Sequence, residues 1–452
     1  MVHGSRSARV VIRAGLLASR SRHPIEGIFA GRRPDGGVVI EDRAMSDHMS
    51  RRHVLGAAAA AGAVALLATN EASASPRAVA AAQRPGTAVD PKEKEYLEQL
   101  TLLADPVCDE AVADLFQHGQ GAAVNEAMRG WSANSQPVPD GLPAKLRDFL
   151  ESARRLPSWA DPAALARGQR FVLAHAQQIS FSAVLDVTPV RMKYPAEAEA
   201  IFGIEGPHDN KQGFAKALRG VGDTLVKDPY GPTGSVFVTM ARIRVAHSAV
   251  RHLLWTEGNW DPAKWGAPLS QLDMLAEWNL FSSYLADHLY KLGVHLTEQE
   301  ATDYLYVWRV FGALLGMPDD SMPETVGAAR TRAAAVDALY ARVTPRSTTY
   351  VKATIEYFAS LAGPKEATVP PATALVRYMI GETDADAFGL ARSSWDAVVP
   401  LAVKGFFTGT QAGGLPTPSA TMTRIATEMV SRAMNDGKKA DLTMPLHLYG
   451  HQ

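Results

Sequence analysis

Apolar residues recur at intervals of three and four through most of this chain, and sustained alternation is absent, so the pattern predicts an all-α protein. Residues 92–116 read as one helix and residues 143–156 as a short amphipathic one. Residues 161–185 open with Asp161-Pro162, an N-cap followed by proline at the first helical position. Residues 203–212 and 227–234 are loops rich in Gly and Pro, with a helix predicted over 214–225 between them. Residues 239–254 hold no Gly or Pro and predict an unbroken helix. Another follows over 270–292, and Thr297-Glu-Gln-Glu300 is a capping box that opens a helix over 301–315. Helices near 323–343, 346–362, 369–380, 394–407 and 418–435 complete the pattern, and the tail after Asn435 is expected to be loosely ordered.

The N-terminal part reads differently. Ser50-Arg51-Arg52-His53-Val54-Leu55-Gly56 has the twin-arginine pattern, followed by an uncharged Ala-rich run over 56–69 and a small-x-small site at Ala72-Ser73-Ala74. The run is about 14 residues long, short of the ~20 that a membrane-spanning helix needs. Residues 45–74 are therefore expected to be a twin-arginine signal peptide and the protein to be secreted. Residues 1–44 carry eight Arg and no Lys without periodicity, and read as an over-extended start outside the mature fold. Residues 75–91 read as a linker, 92–440 as one catalytic domain and 441–452 as a flexible tail.

Composition removes several chemistries. The net charge is −1 and the mature part has no basic stripe, which argues against nucleic acid as a partner. Cys108 is the single cysteine, so disulfides, Cys-x-x-Cys zinc sites, iron–sulfur clusters and covalent haem are excluded. No Gly-x-Ser-x-Gly elbow or His-Glu-x-x-His pair is present. Gly220-Val-Gly222 is an incomplete dinucleotide fingerprint, and the Gly-Pro inside Glu205-Gly-Pro-His208 prevents the helix that a di-iron site requires.

What remains lies on the helix over 239–254. In Arg244-Val-Ala-His247-Ser-Ala-Val-Arg251 the spacing puts Arg244, His247 and Arg251 on one face, with Met240, Ile243, Val250 and Leu254 on or beside it. Such a face suits an anionic cofactor, the imidazole on a metal and the guanidiniums on carboxylates. The commoner reason for such a face is a core histidine flanked by two arginines that are ion-paired or reach solvent. His175, in Phe-Val-Leu-Ala-His-Ala, is a second mid-helix histidine and reads as core.

Three segments in this order resemble the latex-clearing-protein (rubber oxygenase) and MpaB-type oxygenases. They are Arg244-x-x-His247-x-x-x-Arg251, Trp265-Gly-Ala-Pro-Leu-Ser-Gln-Leu-Asp273, and Tyr304-Leu-Tyr-Val-Trp308-Arg-Val-Phe-Gly312-Ala-Leu-Leu-Gly316-Met. The resemblance covers residues 165–345 well. It implies a globin-like helical core with additional flanking helices that binds non-covalent haem b, His247 as the iron ligand, and Arg244 and Arg251 supporting the haem or its propionates. Rubber-cleaving members carry Arg-x-x-Lys-Thr upstream. Here Lys216 is retained, but Gly213 and Ala217 replace the Arg and the Thr, and Arg219 is the nearest substitute. The family's catalytic base maps to Glu197, with Glu199 as the second choice.

The function implied is a secreted haem dioxygenase. It would cleave C=C bonds of polyisoprene, or of a related prenyl or lipid alkene, with O₂ to give carbonyl products, Glu197 and Lys216 being catalytic. A monomer is expected. Two other classes remain compatible with the residues: a peroxidase-like exported haem oxidoreductase, disfavoured by the lack of a distal His–Arg arrangement, and a non-enzymatic helical protein that binds a hydrophobic ligand.

Overall fold

The computed structural model describes residues 31–32, 38–39, 89–206 and 211–412, with 423–424, 427–428, 431–432, 438 and 440–449 beyond them. The twin-arginine segment at 45–74 lies outside the described residues. Gly31–Arg32 (β1) and Val38–Val39 (β2) pair antiparallel and belong to a unit of their own, Met1–Met49. The described elements of the other unit, Ser50–Gln452, are all helical.

Caps and prolines set the early boundaries. Asp90 accepts from the backbone N–H of Lys92 at 2.8 Å and starts α1, Pro91–Leu100, with Pro91 in the first turn. The helix expected over 92–116 is in fact two, because Pro106 has no N–H to donate and opens α2, Pro106–Gln117. The short helices α3, Gly121–Met128, and α4, Ala144–Ser152, follow. The helix expected over 161–185 also divides. α5, Pro162–Ala174, ends at His175, whose φ of −113° and ψ of 22° leave the helical region before α6, Ala176–Met192. His175 thus sits at a junction, tilted against Phe171 at 4.5 Å. Almost every position of α6 is buried, which marks it as the central helix.

α7, Pro195–Glu205, occupies a stretch whose end was expected to be loop. Gly206, at φ 75°, stops it. α8 spans Lys211–Thr224 and α9 spans Val236–Thr256, which holds the Arg–His–Arg face. After α10, Pro262–Trp265, a Ser270–Asp273 capping box opens α11, Gln271–Asn279. A π-helical turn at Leu280–Tyr284 links it to α12, Leu285–Lys291. α13, Glu298–Leu314, starts at the predicted Thr297–Glu300 capping box. The remaining helices are α14, Val326–Tyr340; α15, Pro345–Ala362; α16, Lys365–Ile380; α17, Glu382–Ala387; and α18, Trp395–Ala412.

The helices pack chiefly as neighbours: α13 on α5, α9 on α2, α15 on α16, and α16 on α18. Gly168 permits the first contact, since a Cβ there would lie 2.3 Å from the Asp303 carbonyl oxygen and 2.4 Å from Val307 Cγ2. The main core draws Ile179, Met240, Leu253, Leu275, Tyr304 and Trp308 from α6, α9, α11 and α13. The tail, expected to be loose, is fixed over 440–449. Asn125 and Met444 exchange two hydrogen bonds of 3.0 Å, Asp441 pairs with the buried Arg242 at 2.5 Å, and Tyr449 N–H donates to the Gly203 carbonyl at 2.8 Å. Buried Leu442 and Leu448 explain why it docks.

Candidate active site

The three sequence segments meet around the turn between α1 and α2. Asp105 precedes α2 without capping it, because its carboxylate is turned inward to Arg244, with Nε–Oδ2 at 2.7 Å and Nη2–Oδ1 at 3.0 Å. One turn on, Asp109 takes Arg251 at 2.7 Å, and Arg251 also donates to the Leu269 carbonyl and to Ser248. Residues 265–273 hold this turn from the other side. Ala267 N–H donates to the Thr101 carbonyl and Gln271 N–H to the Leu103 carbonyl, both at 2.8 Å. Gly316 lies under the Arg244 guanidinium at φ 83°, and a Cβ there would come within 2.8 Å of Nε. Arg244 and Arg251 were expected to support a cofactor. In the structure Asp105 and Asp109 bind both guanidiniums, and the two arginines clamp α9 against α2.

His247 lies on the same helix, enclosed by protein on every side, while part of its surface stays accessible. Burial pushes its imidazole down to about 3, with help from the positive charges of Arg251 and Arg191. The ring is neutral at any ordinary pH, and no hydrogen bond to it is found among the described residues. No group of three or more His, Cys, Asp or Glu side chains among the described residues could hold a bare metal ion. A metal at His247 would have to bring its remaining ligands with it, as a porphyrin does.

Glu197 is the other half of the site. It sits in the first turn of α7 and is fully buried. Its Oε1 is held by Arg191 Nε from the last turn of α6, and its Oε2 has no hydrogen-bond partner among the described residues. Burial raises its carboxyl to about 8; Arg191 opposes the shift, and Glu277 and Asp273 on α11 add to it. Asp273, buried within its capping box, is raised to about 6 by burial. Glu199 points elsewhere and pairs with Arg346 at 2.6 Å. Burial thus separates the two candidate bases in favour of Glu197. Lys216 is half-buried on α8, a helix that packs against both α6 and α9. Sequence reasoning missed Arg191 and Glu277. Both read as ordinary helix charges until the fold brings α6, α7 and α11 together.

A cleft of about 310 Å³ opens near the C-terminal ends of α7 and α9. Phe202, Leu254, Trp260, Trp265, Leu448 and Tyr449 line it, and the Glu199–Arg346 pair lies at its edge. Leu254 follows His247 by two turns on the same helical face, so the cleft lies along α9 from the imidazole.

Arg191 acts electrostatically on both the His247 imidazole and the Glu197 carboxyl, so the two candidate residues share one charged neighbour within the helical body. Residues 213–412 match the family model of the catalytic domain of ER-bound oxygenase mpaB/B′ and rubber oxygenase. The chain is 34% identical over 355 residues to the rubber oxygenase of Streptomyces sp. (strain K30), an alignment covering 76% of this chain and 84% of that one. A solved structure of latex clearing protein in its closed state matches with a TM-score of 0.61 and 30% identity, over 73% of this chain and 91% of that one. The chain belongs to the rubber oxygenase family and is an oxygenase of all-α fold. Arg191 and Glu197 lie upstream of the segment that matches the family model.

Proposed function

We propose that this oxygenase is an exported haem b dioxygenase that cleaves carbon–carbon double bonds of polyisoprene, or of a related prenyl or lipid alkene, into two carbonyl ends. His247 carries the reading: a neutral imidazole, without a hydrogen bond among the described residues, on a helix face shared with Ile243, Val250 and Leu254. These residues fit a haem, since an uncharged ring nitrogen with its lone pair uncommitted is what an axial ligand requires. When bound, the haem supplies iron that activates O₂, chemistry no side chain of this chain provides. Arg244 and Arg251 hold the ligand's helix in place through Asp105 and Asp109; a cofactor carboxylate would share those guanidiniums.

Glu197 takes an allylic proton from the alkene on its unpartnered Oε2. A carboxylate held in a dry site with its proton affinity raised to about 8 is a far better base than one in water. Lys216 acts on the oxygen side, in a setting altered by Gly213 and Ala217. The cleft beside Leu254, with Phe202, Trp260 and Trp265 on its wall and the Glu199–Arg346 pair at its rim, would receive part of the hydrocarbon chain. Export by the twin-arginine route, with removal of residues 45–74, completes the reading.

The test is oxygen uptake by the purified protein with polyisoprene latex, followed by carbonyl detection. Uptake with carbonyl-terminated products supports the proposal. Peroxide-dependent oxidation without O₂ uptake would place the chain in another class of haem enzyme.

A further inference from the structure

Arg191 touches carboxylates from two other helices. Its Nε holds Glu197 on α7, and its Nη2 stands 3.9 Å from Glu277 Oε2 on α11. The three differ in exposure: the Glu197 side chain is at 0%, that of Arg191 at 19% and that of Glu277 at 23%. A guanidinium cannot lose its proton in a protein, so Arg191 is a fixed charge that at least these two anions share. Closer binding by one carboxylate weakens the hold on the other.

We infer that Arg191 is the positioning residue of Glu197, gripping Oε1 so that Oε2 stays available, and that Glu277 sets the strength of that grip by competing for the same guanidinium. The inference rests on Glu197 being the base. Among the described residues, three charged groups act on Glu197. Arg191 comes from α6, and Asp273 and Glu277 come from α11. Asp273 is occupied by the N–H and hydroxyl of Ser270, at 2.8 and 2.9 Å. His247, on α9, is uncharged and influences the group only by lying near Arg191. On α7 itself, Glu199 is directed to Arg346. Glu277 is thus the one of these neighbours free to tune the pair.

The arrangement makes the two substitutions act in opposite directions. Glu277→Gln removes the competitor, tightens Arg191 on Glu197 and makes the base easier to ionise. Arg191→Gln removes the positive charge that holds Glu197 ionised and makes the carboxyl harder to ionise. In the full-length mature protein, the acid limb of the kcat/KM profile should move to lower pH in Glu277→Gln and to higher pH in Arg191→Gln. Arg191→Gln should also lower kcat on the order of tenfold to a hundredfold, with KM little changed, and Arg191→Lys should restore part of both. A readout independent of turnover is the infrared titration of the Glu197 carboxyl band, identified by its loss in Glu197→Gln. The same opposite displacements are expected there, and they decide the matter if the protein does not oxidise alkenes at all. Glu277→Gln, partly exposed and nearly isosteric, remains informative if Arg191→Gln does not fold. Displacements in the same direction, or no displacement in Glu277→Gln, would overturn the inference.

Discussion

Glu197 owes its place to a lock at the start of α7, and breaking that lock has a calculable cost. Tyr194, immediately before α7, donates its hydroxyl to Asp337 Oδ1 at 2.5 Å, and Tyr284 in the π-helical turn donates to Oδ2. Lys193 spans Asp337 and Asp384 at 3.1 Å each and is 4% exposed. Burial and the neighbouring carboxylate keep both tyrosines protonated, so they remain donors. Asp337→Ala deletes two hydrogen bonds to a charged acceptor, each worth about 1.5–3 kcal/mol, and leaves a buried ammonium with one partner. Asp337 keeps 30% of its side-chain surface, so water replaces part of what is lost. A net cost of about 3 kcal/mol follows, near the lower end of that range. Tyr194→Phe and Tyr284→Phe remove one donor each and should cost about 1.5 kcal/mol apiece. Urea unfolding followed by circular dichroism measures this as midpoint shifts at constant m. A loss below about 1 kcal/mol for Asp337→Ala, or a Tyr→Phe loss equal to it, would refute the lock.

Glu197, raised to about 8 from an ordinary 4.5, binds protons more tightly folded than unfolded, so stability falls as pH climbs between those values. Glu197→Gln should therefore gain on the native protein over that window, reach a few kcal/mol at its upper end, and show no gain below pH 4.5; unfolding midpoints across pH check it. Gly168→Ala should lower the thermal midpoint by an amount equivalent to about 1–3 kcal/mol, because its Cβ would collide with Asp303 and Val307 on α13. Gly203→Val should narrow the cleft, since even a Cβ there would lie 2.7 Å from Leu254 Cδ2. It should raise KM for long substrates more than for short ones, as measured by oxygen uptake.

The helical class was readable because apolar spacing is a local property, and the Thr297 capping box and the Asp161-Pro162 start are local too. The shared face of Arg244, His247 and Arg251 was readable because helical spacing is local, while the role proposed for His247 came from the family resemblance. Glu197 needed the family resemblance, and its burial could not be seen in Ala-Glu-Ala-Glu. The break at Pro106 was overlooked because apolar spacing continues on both sides of it. Asp105 faces inward only because Arg244, far along the chain, meets it. The destinations of Arg244 and Arg251 and the pairing of Arg191 with Glu277 are tertiary facts, set by how α2 packs on α9 and α11 on α6. The tail failed as a prediction for the same reason: Asp441 looks like a solvated end until Arg242 is placed beside it.

The claim on which the functional reading turns is that His247 holds a haem iron. Its most direct test is the absorption spectrum of the purified mature protein, alongside that of His247→Ala prepared and supplied with haem in the same way. The expected result is a Soret band in the native protein that is lost or displaced in the variant, while circular dichroism shows the helices intact. No Soret band in the native protein after haem reconstitution, or an unchanged band in His247→Ala, would contradict it.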